Sequence, residues 1–384
     1  MLSSLASGFD SYFDDVLNIL YGSKSTELEL AKSHFIKSAR YNVPNGKKLR
    51  GRLCVATFRR FVRKEPSNDI LKSVNLVGWS IELMQAGFLV HDDLIDGSTM
   101  RRGQTAWGLL QKIEGHGLIG INDGLHLYIS VQQLIVAALN RSPLRNKCFQ
   151  ILELFGDCAN ATCFGQALDM LGNVQVGLCS GNDGNADKDR SPQYFPKLTS
   201  NRLGGMTVDR FATIAKWKTS HYSFVLPVIA GMLLADVKSE VLLSNAKSVL
   251  FKIGEYFQAQ DDYLDVYGDE QVTGKVGTDI AEGKCSWLIA TALEKASDEQ
   301  RAILNRNYGI RDTSCVSAVI KVFDELDLPS IYSNYESRAY ADILGLIDEV
   351  SSEGELVDLS DPNATKLPKD FLVEVAHLFY RRKK

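Results

Sequence analysis

The chain has 384 residues, 45% apolar and 23% charged, an ordinary globular composition with enough length for a sizeable core. A net charge of −4 gives no reason to expect nucleic acid or an anionic membrane as partner, and no apolar run approaches the roughly eighteen residues of a membrane span. Seven scattered cysteines and six histidines without metal-ligand spacing argue against a disulfide framework or a zinc site, and for free thiols in a reducing, cytoplasmic setting.

The N-terminal stretch MLSSLASGFDSYFDDVLNIL carries Asp10, Asp14 and Asp15 and no early basic residue, against a signal or transit peptide. NGKKLRG follows, with Lys47 and Arg50 beside Gly46. Residues 74 to 88, VNLVGWSIELMQAGF, read as a helix apolar nearly all round, hence buried. It runs into LVHDDLIDGSTMRRGQ, residues 89 to 104, where Asp92, Asp93 and Asp96 crowd into one turn before Arg101 and Arg102. Like charges so close repel unless cations compensate.

Residues 151 to 171, ILELFGDCANATCFGQALDML, recur at three and four and predict another helix. Residues 172 to 202, with four glycines and two prolines, predict a long polar surface loop inserted into one domain spanning 1–384. KWKTSHYSF then supplies Lys218, Thr219 and Tyr222. Residues 246 to 267 predict a further apolar helix, ending in a second acidic motif with Asp261, Asp262 and Asp265. TGKVGTDIAEGKCSW adds Lys275 and Lys284; its glycine spacing is not that of a P-loop. Few segments alternate with a period of two, so the expected fold class is all-α, a multi-helix bundle.

In each acidic motif the first and last aspartates stand at i and i+4. On a helix this sets two carboxylates on one face, about 6 Å apart along the axis. Oxygen-only donors so placed suit Mg²⁺ or Mn²⁺, with water and substrate phosphates completing the shell. An isolated motif of this kind is equally a solvated acidic helix end; two copies, each after an apolar helix, favour the metal reading. Arg101, Arg102, Lys47, Arg50, Lys218, Lys275 and Lys284 would then hold phosphate oxygens. His91, directly before the first aspartate, is better read as a hydrogen-bonded neighbour than as a general base.

From about residue 40 onward these segments, together with GQALD, DELDLPSIYSNYE and the basic ending FYRRKK, resemble the eukaryotic farnesyl diphosphate synthases, among the trans-isoprenyl diphosphate synthases. The resemblance implies an all-α bundle around a deep central cavity, a homodimer, and head-to-tail condensation of isopentenyl diphosphate with dimethylallyl and geranyl diphosphate. It implies Asp92, Asp96 and Asp261 as Mg²⁺ ligands in a cluster of about three ions, with Asp93, Asp262 and Asp265 close by and Asp169 and Gln166 in support. Arg101, Lys218 and Lys275 would hold the allylic diphosphate. Gly46, Lys47, Arg50, Gln85 and Arg102 would hold isopentenyl diphosphate, with Phe257, Gln258, Arg381 and Arg382 closing over it. Thr219 and Gln258 would stabilise developing positive charge.

Phe88, one helical turn below Asp92, would form a floor that limits product length. Gly87, where many animal members carry an aromatic residue, would open space for a geranylgeranyl fraction unless a neighbour fills it. The rival readings are a geranylgeranyl diphosphate synthase, a class I terpene cyclase, which needs no isopentenyl diphosphate site, and a catalytically silent partner subunit, which needs no intact aspartates.

Overall fold

The computed structural model describes residues 6, 8–22, 25–62, 64–172, 203–269, 277–352 and 366–380. Helices account for nearly all of the described chain, as the period of the apolar residues predicts. In order they are α1 (Phe13–Tyr21), α2 (Glu29–Asn42), α3 (Leu49–Phe61), α4 (Asn68–Asp96), α5 (Trp107–Ile113), α6 (Ile119–Leu139), α7 (Cys148–Gly172) and α8 (Val208–Ile214). A π-helix (Ala215–Val225) follows, then α9 (Leu226–Leu234), α10 (Glu240–Tyr267), α11 (Asp279–Glu282), α12 (Trp287–Lys295), α13 (Asp298–Asn307), α14 (Thr313–Glu325), α15 (Leu328–Val350) and α16 (Lys369–Phe379). Three short 3₁₀ turns and two short two-stranded ribbons are also among the described residues, and the first ribbon, Met100–Arg101 with Gln104–Thr105, turns the chain back after α4.

The two helices that end in acidic motifs are capped alike. Ser67 starts α4 by accepting from the Ile70 backbone N–H, and Ser239 starts α10 by accepting from that of Leu242. Gly97, at φ 66°, ends α4 in the left-handed conformation that favours glycine. From Ser73 to Gly87 every residue of α4 is buried, against α3 on one side and α6 on another. All nine residues of α9 are buried too, packed on α3. The main core gathers Phe58, Trp79, Leu83, Leu134, Ile229 and Leu250, and a second cluster lies around Phe211, Trp287, Tyr308 and Phe323.

The π-helix is the one long departure from α geometry. The Leu226 backbone N–H donates to the carbonyl of His221, five residues back, and Ser220 Oγ donates to Ala215 O at 3.1 Å. It is wedged between α7 and α10 where both present glycine: a Cβ on Gly165 would strike the Lys218 backbone, and one on Gly254 would strike Ser220. The expected loop over 172–202 falls, but for its first residue, outside the described residues, as do Lys275, Arg381 and Arg382. No helix among the described residues is long and apolar enough to cross a membrane. The six described cysteines are free thiols.

Candidate active site

A cavity of about 1010 Å³ opens among α3, α4, α6, α7, the π-helix and α10. Both acidic motifs reach it from the C-terminal ends of α4 and α10. A helix C-terminus carries partial negative charge, so clustered carboxylates there are doubly unfavourable without cations. Asp92, Asp96, Asp261 and Asp265 line the cavity, as the i, i+4 spacing predicts, and so does Asp169 from α7.

The compensating cations are already in contact. Lys218 Nζ lies 2.6 Å from Asp169 Oδ2 and 3.7 Å from Asp92 Oδ1. Lys284 Nζ lies 2.7 Å from Asp96 Oδ2 and 3.1 Å from Glu282 Oε2. Gln166 donates to Asp92 Oδ1 at 3.3 Å. Burial alone would push the Asp92 carboxyl up, but Lys218, Lys284 and Arg101 outweigh it and hold it below its ordinary value. Burial likewise pulls Lys284 down, and Asp279, Asp96 and Glu282 push it well above the ordinary lysine range.

The second aspartate of each motif is engaged by donors of the protein itself. Asp93 does not line the cavity; it is buried and its Oδ1 accepts from Arg101 Nε at 2.9 Å and Nη2 at 2.5 Å. One step of about 100° around the helix turns it from the face that Asp92 and Asp96 share. Asp262 touches the cavity, but Trp287 N–H donates to its Oδ2 at 2.7 Å and Gln258 Nε2 to its Oδ1 at 2.8 Å. Burial pushes its carboxyl well up, against the pull of those two donors. Asp93 thus orients Arg101, and Asp262 orients Gln258. Gln258 in turn accepts from Thr219 Oγ1 at 2.5 Å.

A second group lies at the N-terminal end of α3. Arg50 donates through Nη2 to Ser223 Oγ at 2.8 Å and to Tyr222 Oη at 3.3 Å, with its guanidinium 4.9 Å from the Tyr222 ring centre. Tyr222 thus braces Arg50. The Gln85 carbonyl accepts from Arg50 Nη1 at 2.6 Å and its amide donates to Glu82 at 3.2 Å. Glu82, buried, also accepts from the Gly51 backbone N–H at 2.8 Å. Arg102 has φ 53°, a left-handed backbone, and donates to the carbonyls of Asn42 and Asn45. Gly46 has φ 104°, and a Cβ there would come within 3.1 Å of the Arg102 guanidinium, so the glycine lets the two loops meet. Lys47 and Phe257 also line the cavity, and Phe257 packs edge-on against Phe224 and Phe379.

Sequence reasoning missed Glu82, Glu282, Asp279 and Ser223. Asp279 and Glu282 flank Lys284 within one quoted segment, a visible signal; Glu82 sits unmarked in an apolar helix. His91 Nε2 is 3.0 Å from the Ile121 carbonyl, a hydrogen-bonded neighbour. Gly87 opens no space. A Cβ there would lie 2.9 Å from Gly124 O and 3.3 Å from Tyr128 N, because the α6 backbone closes in on it. Phe88 does stand below Asp92, with its ring centre 6.0 Å from that of Tyr128 and 5.7 Å from that of Tyr222.

The donor set can be tested against a metal. Among the described residues no three His, Cys, Asp or Glu side chains converge closely enough to hold an ion by themselves. Hard oxygens from two helices around one cavity, short of a complete shell, fit Mg²⁺, which keeps water and takes substrate phosphate as ligand. The site can therefore bring a diphosphate, divalent cations and a hydrocarbon together, with charge at the mouth and apolar surface below.

Comparison with known proteins agrees. The family model for polyprenyl synthetase matches residues 32–326. The farnesyl pyrophosphate synthase of Bos taurus is 39% identical over 90% of this chain and 86% of its own, and that of Mus musculus 36% identical over 98% and 96%. A solved T. brucei farnesyl diphosphate synthase complexed with risedronate superposes with a TM-score of 0.79 at 26% identity, covering all of both chains. With its motifs around one cavity and its fold shared end to end, the chain belongs to the polyprenyl synthetase family.

Proposed function

We propose that this chain is a short-chain trans-prenyltransferase that condenses isopentenyl diphosphate with dimethylallyl and then geranyl diphosphate to give farnesyl diphosphate. The observation that carries this is the meeting of both acidic motifs with Lys218, Arg101, Arg50 and Arg102 on one cavity. Arg50, Gln85 and Arg102 beside the carboxylates supply a second anion site, which a terpene cyclase would not need. Its intact cavity-facing aspartates likewise set it apart from a silent subunit.

In this reading Asp92, Asp96, Asp261 and Asp265, with Asp169, hold about three Mg²⁺ ions, and the same oxygens accept Mn²⁺. Bound Mg²⁺ stabilises the negative charge that develops on the leaving diphosphate. Lys218 and Lys284 exchange their carboxylate partners for phosphate oxygens, Arg101 leaves Asp92 for them while Asp93 still holds it, and Lys275 joins. Asp93 keeps the Arg101 fork aimed at the mouth. Lys47, Arg50 and Arg102 hold the isopentenyl diphosphate, with Arg381 and Arg382 closing over it. The allylic carbon–oxygen bond breaks, and Thr219 and Gln258 turn oxygen atoms toward the cation. Apolar walls at Phe88, Tyr128 and Ala159 exclude water that would quench it. The homoallylic double bond attacks, and the released diphosphate takes the proton, so no protein base is required.

The whole chain acts as one domain in a cytoplasmic homodimer. The exposed apolar face of α6, Ile121, Leu125, Ile129 and Val136, supports self-association, and sedimentation should give a dimer mass. The decisive experiment is incubation with isopentenyl and dimethylallyl diphosphates and Mg²⁺, followed by chromatography of the dephosphorylated products. Farnesol is expected. A cyclic hydrocarbon from added farnesyl diphosphate would instead establish a cyclase.

A further inference from the structure

The α4–α6 contact carries two glycines, Gly87 and Gly124, one on each helix. A Cβ on Gly87 would press on the Gly124 carbonyl, and one on Gly124 would lie 2.5 Å from the His91 ring. Small residues on both sides let the helices approach further than ordinary side chains allow. The approach has a consequence one turn along α6. Tyr128 stands at i+4 from Gly124, on the same face of the helix. Its ring lies 25° from parallel to that of Phe88, with centres 6.0 Å apart, and both rings line the cavity. Phe88 is held on its other side by the edge of Tyr222, at 85°. Around Tyr128 the lining from α7 is small: Ala159, Thr162 and Cys163. The bulky groups at this level are the two stacked rings and Tyr222 beside Phe88, and Tyr128 is the ring contributed by α6.

We propose that Tyr128 is the specificity-determining residue that ends chain growth at the farnesyl stage. The inference rests on the prenyltransfer reading. With the diphosphate fixed at the aspartates, each condensation drives the hydrocarbon tail one isoprene unit further from the mouth. The tail of farnesyl diphosphate meets the Phe88–Tyr128 pair, and a further unit has no room while the tyrosine ring stands there. Even one methylene too many in an apolar pocket discriminates on the order of tenfold to two-hundredfold, and an isoprene unit is larger. The work is done by the ring and not by the hydroxyl.

The test compares products of the full-length wild type with those of Tyr128→Ala, Tyr128→Leu and Tyr128→Phe, given isopentenyl and dimethylallyl diphosphates with Mg²⁺. Tyr128→Ala should raise the ratio of geranylgeranyl to farnesyl product at least tenfold. Tyr128→Leu should fall between, and Tyr128→Phe should match wild type. An unchanged ratio in Tyr128→Ala overturns the proposal, as does a shift in Tyr128→Phe equal to that in Tyr128→Ala. The wild-type ratio of products from every variant sinks this inference and leaves the prenyltransfer reading standing; no prenyl product from wild type sinks both. If the smaller variants do not fold, wild type decides alone. Geranyl diphosphate should then protect it against thermal unfolding at concentrations at least tenfold lower than geranylgeranyl diphosphate, and equal protection by both refutes the floor.

Discussion

Asp92 and Asp261 come from different helices and, in the proposed reaction, serve the same diphosphate, so neither substitutes for the other. Asp92→Ala and Asp261→Ala should each lower turnover at least a hundredfold, since losing one contact to developing charge costs about 3 kcal/mol or more. Steady-state rates with both substrates saturating check this, and near-normal turnover in either variant would remove the metal assignment. In the same reading Arg102 serves the other substrate. Arg102→Ala should raise the KM for isopentenyl diphosphate selectively, and a selective rise in the allylic KM would overturn the placement. At this scale the i, i+4 spacing made Asp92, Asp96, Asp261 and Asp265 legible without a structure, because helical periodicity is local. It could not show what Asp93 and Asp262 meet. Arg101 lies beyond a turn and the Trp287 N–H lies 25 residues on, so both contacts depend on tertiary packing.

Among the elements, the π-helix is set by its neighbours. Gly254 lets α10 come close enough that a Cβ would lie 2.6 Å from Ser220 Cβ. In a free helix, alanine in place of glycine would gain up to about 1 kcal/mol. Here overpacking should reverse the sign and cost about 1–3 kcal/mol. Gly254→Ala should therefore lower the Tm and, by shifting Thr219 against Gln258, lower kcat as well. A raised Tm with unchanged turnover would show that the contact is slack. The sequence announced helices at 74–88, 151–171 and 246–267, and all three lie within longer ones, α4, α7 and α10. It gave no sign that Ala215–Val225 winds more widely, since the composition there suits α and π alike. The close glycines that hold it are far away in the chain. The same distance hid the partner of Gly87: one sequence shows a missing side chain, and only the packed pair shows that α6 fills the gap.

For the whole molecule, the two core clusters rest on the helices, and the polar stretch over 172–202 contributes no acidic motif or arginine pair of the kind the site uses. Replacing it with a short flexible linker should leave kcat within a few fold, measured alongside circular dichroism to confirm folding. Collapse of activity in a folded variant would give the segment a role in chemistry. The all-α class and the convergence of two distant motifs were readable because both follow from repeated local patterns. The cavity's true depth was not, because it depends on how closely α4 and α6 approach.

The wider winding of Ala215–Val225 also governs which changes of length the gene can tolerate. A π-turn holds one more residue than the α-turn it replaces, so a one-residue deletion there can be absorbed by rewinding to α geometry without a broken helix. The cost would fall on orientation. Lys218, Thr219, Tyr222 and Ser223 share their present arc because residues four apart fall just short of a full π-turn; after rewinding they would overshoot it. Deleting Lys216 should therefore yield a folded, helical protein of near-normal Tm whose turnover is largely lost. A one-residue deletion here would be survivable for the fold and fatal to the chemistry.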